Sequence, residues 1–234
     1  SLAWDPGRKN VVLFGGSTGR VQISADTWVW NGRTWSEVTA DPHPGPRVGA
    51  SFTWDDERKN LVLVGGQSAG GPVTETWTFD GTGWTFAYSN LPPARNDGSI
   101  AWDPVRKVIV LFGGNSNAPL NDTWIWNGKD WRTVATIPSP TARSHASLTW
   151  DDVAKKLVLF GGVGKNNVLI SDTALFDGKT WASIPGEQPS PRRDACVVWD
   201  EAQKELVLFG GQATGTLAGD TWTFHQDHWE KETP

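Results

Sequence analysis

The sequence predicts an all-β protein built from five four-stranded antiparallel units, and three observations carry the prediction. Trp-Asp pairs stand at Trp4, Trp54, Trp102, Trp150 and Trp199, with successive steps of 50, 48, 48 and 49 residues. Glycine doublets open at Gly15, Gly65, Gly113, Gly161 and Gly210 and step by the same 50, 48, 48 and 49, so the length variation lies outside the segment joining these markers. Every local signal inside the repeat belongs to a strand or a turn. Two further markers keep the same order. Asp-Thr-Trp begins at Asp26, Asp122 and Asp220 and varies to Glu75-Thr-Trp and Asp172-Thr-Ala, and a lone tryptophan follows at Trp35, Trp84, Trp131, Trp181 and Trp229. Four markers in constant order at one period define five copies of one supersecondary unit.

In each copy the first strand alternates polar and apolar residues, as in Ser51–Trp54 and Ser147–Trp150. A tight turn follows in which Asp and Lys stand four apart: Asp5 and Lys9, Asp55 and Lys59, Asp103 and Lys107, Asp151 and Lys155, Asp200 and Lys204. The second strand is almost wholly apolar, as in Leu157–Phe160, and its lack of alternation predicts burial on both faces. The glycine doublet ends it, where a backbone without Cβ can turn sharply or pass close to a neighbour. After a loop, Asp122–Trp126 makes the third strand, Asn127-Gly128 a hairpin turn and Trp131–Val134 the fourth strand. Asn31-Gly32, Asp80-Gly81 and Asp177-Gly178 repeat that turn, supplying the positive φ that a tight hairpin requires. In the fifth copy His225–His228 replaces the dipeptide, so that turn must be built differently. The units run approximately over 1–40, 47–88, 95–136, 143–185 and 192–234, as a single domain.

A four-stranded sheet of this size cannot bury both faces alone. Tryptophans on several strands of every unit offer bulky faces to the neighbouring sheets, so the 16 Trp are read as inter-sheet packing. A well-buried one is worth about 3–5 kcal/mol on truncation to Ala. The fourth unit carries Ala174 where the others have Trp, leaving an indole-sized gap that a neighbour must fill or that forms a pocket.

Composition narrows the function classes. A net charge of −5 argues against a general nucleic-acid binder, which needs a basic face to release counterions. The longest apolar runs, such as Val108–Phe112, are strand-sized and fall far short of the roughly 18 residues of a membrane-spanning helix. Cys196 is the single cysteine, so no intramolecular disulfide forms. Its apolar setting, Ala195-Cys196-Val197-Val198, predicts a small buried hydrophobe.

A glycine doublet after an apolar strand, an aromatic strand and then a Trp about 20 residues on resembles the kelch repeat. Gly161-Gly162, Phe176-Asp177 and Trp181 carry the likeness in the fourth copy, and Gly113-Gly114, Trp126-Asn127 and Trp131 in the third. Trp or Phe stands where many kelch repeats have Tyr, the one tyrosine being Tyr88 outside that position. The resemblance spans essentially the whole chain and implies a β-propeller of radially arranged four-stranded blades. Inter-blade linkers hold 14 or 15 residues, whereas five residues follow Trp229; with five complete repeats, a closed five-bladed ring without strand exchange between the termini is favoured over the alternative, a piece of a larger propeller.

Strand connectivity divides the loops between two faces. The Asp-to-Lys turns and the hairpin turns share one face and read as scaffold, because the Asp-to-Lys spacing is constant. The loops after the glycine doublets vary in length and content on the other face, where recognition on a rigid frame is expected. Arg20, Gln67, Asn115, Asn117, Lys165, Asn166 and Gln212 are the candidate residues of that surface. The same face receives Arg47, Arg95, Arg143 and Arg192, each three residues before the small residue that opens a first strand. One reading is a ring of guanidinium groups at the channel mouth, suited to a carboxylate, sulfate or acidic peptide. The other, favoured by strict repetition, has each Arg bracing its blade against nearby carbonyls or the acid of Asp-Thr-Trp. Asp97, His145 and Asp194 break the symmetry against Gly49 and are candidates to converge near the axis on a cation or hydroxylated ligand.

No catalytic residue, metal or cofactor is expected. Kelch-type copper oxidases require tyrosine ligands that one Tyr cannot supply. Of His43, His145, His225 and His228, just His225 and His228 have metal-ligand spacing, and they lie in the fifth hairpin on the scaffold face. Asp177–Trp181 is similar to a sialidase Asp-box, but its Asp and Gly are adjacent and the tyrosine nucleophile is missing. The expected function is therefore a monomeric binding or scaffold module for a protein or peptide. The alternative is a lectin-like or small-molecule site at the channel mouth.

Overall fold

In the computed structural model, which describes residues 1–19, 22–87 and 90–233, every repeat folds as a four-stranded antiparallel sheet. Blade 1 comprises Leu2–Asp5, Asn10–Ser17, Ile23–Trp30 and Trp35–Glu37, and blade 2 comprises Ser51–Asp55, Asn60–Val64, Thr76–Phe79 and Trp84–Ala87. Blade 3 is Ser99–Asp103, Val108–Phe112, Thr123–Trp126 and Trp131–Val134; blade 4 is Ser147–Asp151, Lys156–Phe160, Thr173–Phe176 and Trp181–Ser183. Blade 5 is Cys196–Asp200, Glu205–Phe209, Thr221–His225 and His228–Lys231. Each sheet pairs its own strands in sequence order, as the repeat pattern predicts. First strands of successive blades lie side by side around a central channel of about 370 Å³, lined in part by Ser51, Ser99, Ser147 and Cys196. The protein is a five-bladed β-propeller.

The repeat markers have local jobs. The Asp55 carboxylate accepts hydrogen bonds from the Glu57 and Arg58 amides at 3.1 Å, and Lys59 closes the turn at φ +56°. Lys9, Lys107, Lys155 and Lys204 take the same left-handed conformation, which explains the constant Asp-to-Lys spacing. Second strands are buried on both faces: Leu61, Val62 and Leu63 are wholly inaccessible. At the doublet, Gly66 N–H donates at 2.8 Å to the Arg95 carbonyl of the next blade, and a Cβ on Gly65 would collide with that oxygen. Glycine is required there because a neighbouring backbone passes where a side chain would stand.

The seams between blades repeat as faithfully as the blades. Trp84 Nε1 donates to Thr27 Oγ1 at 3.0 Å, Trp131 to Thr76 at 2.9 Å, Trp181 to Thr123 at 2.9 Å and Trp229 to Thr173 at 2.8 Å. Each bond crosses from a fourth strand to the third strand of the preceding blade, pinning a buried indole that could not leave its N–H unpaired. Among the described residues four hydrophobic clusters fill the seams 1–2, 2–3, 3–4 and 4–5.

The fifth seam differs, and the expected closed ring is corrected here. Phe14, Phe112 and Phe160 are buried against the following blade, but their equivalent Phe209 is 56% exposed. On blade 1, Leu2, Trp4 and Trp35 are exposed, and the first strands of blades 5 and 1 make no contact comparable to the other four. The apolar faces of blades 5 and 1 are not packed on each other. Cys196 is corrected for the same reason: it is exposed, because it pairs with Phe209 on the uncovered side of blade 5, whereas its equivalents Ser51 and Ser99 are covered by the next blade. Ala174 leaves no indole-sized void, since it is 2% exposed and packs with Leu157, Leu159 and Trp181. Its cost falls on Asp172, which lacks the indole donor that Asp122 and Asp220 receive from Trp124 and Trp222.

Candidate functional site

The channel mouth is assembled from the residues that precede each first strand. Arg95 is buried; its Nε donates to the Pro93 carbonyl at 3.1 Å, Nη1 to the Gly113 carbonyl at 2.9 Å, and Nη1 and Nη2 to Asp122 at 2.8 and 2.7 Å. Arg143 and Arg192 repeat the arrangement with Asp172 and Asp220, and Arg47 with Glu75. Together with its own carbonyl, which accepts from the preceding blade's doublet, each arginine ties two blades on this face. Their guanidinium groups are turned into the fold and taken up by these carboxylates and carbonyls. Asp220 is held well below the usual carboxylate range by hydrogen bonds from Arg192, against opposing burial.

Two residues after each arginine the backbone enters the left-handed region: Gly49 at φ +61°, Asp97 at +51°, His145 at +56° and Asp194 at +55°. These positions form an arc of hydrogen bonds from blade to blade. Asp97 N–H donates to the Gly49 carbonyl at 2.7 Å, His145 to Asp97 at 3.0 Å and Asp194 to His145 at 3.1 Å. The side chains follow the same geometry. His145 Nδ1 lies 2.9 Å from Asp194 Oδ1, and Nε2 lies 3.4 Å from Asp97 Oδ2. The three symmetry-breaking residues are thus brought together, with an imidazole between two carboxylates. A Cβ on Gly49 would strike the Asp97 carboxylate, so the glycine makes room for it.

Electrostatics polarise the triad. The hydrogen bond to Asp194 raises His145 above the ordinary histidine value, with burial opposing and the charges of Asp97 and Asp194 adding. Burial pushes Asp97 up, although His145 pulls the other way. The hydrogen bond from His145 holds Asp194 down. Such an arrangement offers carboxylate acceptors to a cation, an amine or a hydroxyl, and a proton held between two acids.

Outside the mouth, the variable loops build a second feature. Gln67 bridges Val48 in backbone pairing and accepts from Asn96 Nδ2 at 2.8 Å, while Asn115 bridges Asn96 and Pro119. Asn117 is exposed at φ +120°, and Lys165 and Asn166 are exposed in a single 3-10 turn, Lys165–Asn167. Gln212 Oε1 accepts from Arg193 Nε at 3.0 Å and Nη2 at 2.6 Å. Arg20 lies outside the described residues. Between the loops of blades 4 and 5 runs a groove of about 640 Å³ lined by Val168, Leu169, Pro191, Arg193, Gln212 and Thr214. Sequence reasoning singled out Gln212 but not Arg193, Val168 or Leu169. A signal existed: the doubled Arg192-Arg193 breaks the repeat, since Val48, Asn96 and Ser144 occupy that position elsewhere.

On the opposite face, among the described residues, His225, His228 and Glu230 place one donor atom each within 4.8 Å of one another. His228 and Glu230 stand two apart on one strand, which places both on one face; that spacing was legible, although Glu230 attracts no notice alone.

Comparison with known proteins bears on the whole frame. The family model described as the KLHDC2/KLHL20/DRC7 Kelch-repeats domain matches residues 86–233, more than half of the chain. No curated protein matches.

Proposed function

The chain belongs to the kelch-repeat family, whose propellers are typically non-enzymatic protein-binding scaffolds, and from that premise we propose that it recognises a protein segment on its variable-loop face. The observation that carries the proposal is the groove between blades 4 and 5. Its apolar lining, Val168, Leu169 and Pro191, is open to solvent on one side and bordered by the Arg193–Gln212 pair. Val168 is exposed although apolar, and an exposed apolar patch rimmed by polar groups is the usual composition of a recognition surface. A short extended peptide fits this shape, with one apolar side chain in the groove and polar contacts along Gln212 and Thr214.

The test is selection of peptides from a displayed library on the folded protein, followed by affinity measurement on Val168→Asp and Arg193→Ala variants. Val168→Asp is expected to weaken a selected peptide about tenfold or more, the loss of one buried anchor, with the melting temperature unchanged. Selected peptides that bind both variants equally would place recognition elsewhere.

A second reading is favoured by one observation, the closure of His145 on both Asp97 and Asp194. In that reading the mouth binds a small hydroxylated or cationic ligand. A glycan array probed with the parent protein and Asp97→Ala separates the two: signals lost in the variant support the mouth, and an empty array removes the lectin reading.

A further inference from the structure

The hairpin of blade 5 departs from its four siblings in three places at once. In blades 1 to 4 the turn carries Gly32, Gly81, Gly128 or Gly178 at φ between +91° and +96°. Blade 5 instead holds two non-glycine residues, Gln226 and Asp227, in the left-handed region at +50° and +63°. Left-handed backbone is unfavourable for both, and such strain persists where surrounding structure or function holds it. Its result is a two-residue turn that sets His225 directly opposite His228, ring centroids 4.5 Å apart. Glu230 then follows on the same face, with Oε1 at 3.0 Å from His228 Nε2.

The second departure lies across the seam. Arg58 Nη2 donates to the Asn127 carbonyl of the next hairpin, and Arg106 Nη2 to the Asp177 carbonyl. Arg8 likewise lies against the hairpin at Gly81. Each of these hairpins receives a guanidinium from the blade before it. Blade 4 has Ala154 at the equivalent position, so the blade 5 hairpin receives none. Where the cation would lie there is a cavity of about 510 Å³, lined in part by Val153, Ala154, Gln203, His225, Gln226 and Asp227.

The third departure is an unsatisfied atom. His225 Nδ1 is enclosed and meets no hydrogen-bond partner, whereas the corresponding side chains Asn31, Asp80, Asn127 and Asp177 accept from their own turn amides. A buried ring nitrogen without a partner is an exception that an ordered water or a bound ion resolves.

We propose that a divalent transition-metal ion binds this hairpin through His225, His228 and Glu230. Two imidazoles and one carboxylate form a donor set suited to Zn2+, which takes nitrogen and oxygen ligands at about 2.0–2.2 Å and completes four-coordination with water. The donor atoms lie within 4.8 Å of one another, and the His228 and Glu230 side chains are open to solvent, which supplies the remaining ligand. Lys156 Nζ lies 3.9 Å from Asp227 Oδ2 in the same turn.

The test is calorimetric titration of the full chain with ZnCl2, with Co2+ absorption as a report on coordination. One ion per chain is expected. His225→Ala/His228→Ala is expected to weaken binding at least about tenfold, and His145→Ala to leave it unchanged. Absence of binding, or affinity unchanged in the double variant, overturns the site. Loss confined to His145→Ala moves the ion to the channel mouth and overturns it equally.

Discussion

Trp181 Nε1 donates a 2.9 Å hydrogen bond to Thr123 Oγ1 across the seam between blades 3 and 4. The indole is buried and sits edge-on to Phe112, with ring centroids 5.1 Å apart. Trp181→Ala is therefore expected to cost about 3–5 kcal/mol in a denaturant titration. Thr123→Val, which keeps the shape and removes the acceptor, should cost about 1–3 kcal/mol. Trp35 is the same residue of the repeat on the uncovered face of blade 1, 45% exposed. Its replacement by Ala should cost under about 1 kcal/mol, so that equal losses at the two positions would refute the unpacked seam.

Arg192 is buried with its guanidinium spread over Asp220 and the Gly210 and Ser190 carbonyls. Arg192→Met strands those partners and is expected to cost about 3–5 kcal/mol. Because Arg192 holds the Asp220 carboxyl below its unfolded value, the unfolded chain binds more protons as pH drops below about 4. Stability from this pair is present above that pH and lost on further acidification. Asp220→Asn should flatten the acid limb of a stability-against-pH curve.

At the mouth, His145 has the opposite dependence. His145 is raised by its bond to Asp194, so its contribution is complete below about pH 6.5, the unfolded value, and disappears as pH rises through the folded one. An NMR titration of the imidazole should show the elevated midpoint, and Asp194→Asn should bring it down. Gly49→Ala should displace the Asp97 carboxylate and cost about 1–3 kcal/mol for the strained backbone, detectable as a lower midpoint in denaturant.

Cys196 is exposed beside Phe209 on the uncovered side of blade 5. Iodoacetamide should alkylate it in the folded protein within about tenfold of the rate in the unfolded chain, as for an accessible thiol. Protection greater than that would return Cys196 to the interior.

Much of this architecture is legible in the sequence because repetition amplifies weak local signals. A single Gly-Gly or Asp-to-Lys turn means little, but five at one spacing fix strands, turns and faces together. The arginines show how repetition also discriminates. Arg95, Arg143 and Arg192 recur because each meets the same acid in the same blade, whereas His145 and Asp97 stand out by differing. What stays hidden is whatever depends on a neighbour in space. The apolar pattern of Cys196-Val197 reads as interior because it does not reveal that the side of blade 5 bearing Cys196 and Phe209 has no blade packed over it. Phe209 has the same sequence context as Phe160, yet one is covered by a blade and the other is not. The groove of Val168 and Arg193 arises between loops more than 20 residues apart, beyond any local pattern.

The uncovered faces of blades 1 and 5 give the molecule two outer members, each flanked by one neighbour where blades 2, 3 and 4 have two. In a stack whose stability is a sum of unit and nearest-neighbour terms, the outer members open first. Amide hydrogen exchange should therefore be graded, fastest in blades 1 and 5 and slowest in blade 3, rather than uniform as in a closed circle where no blade is terminal. The peptide groove and the blade 5 hairpin both lie at one of these softer margins. Occupation of either by a ligand would slow exchange in blade 5 most and compress that gradient.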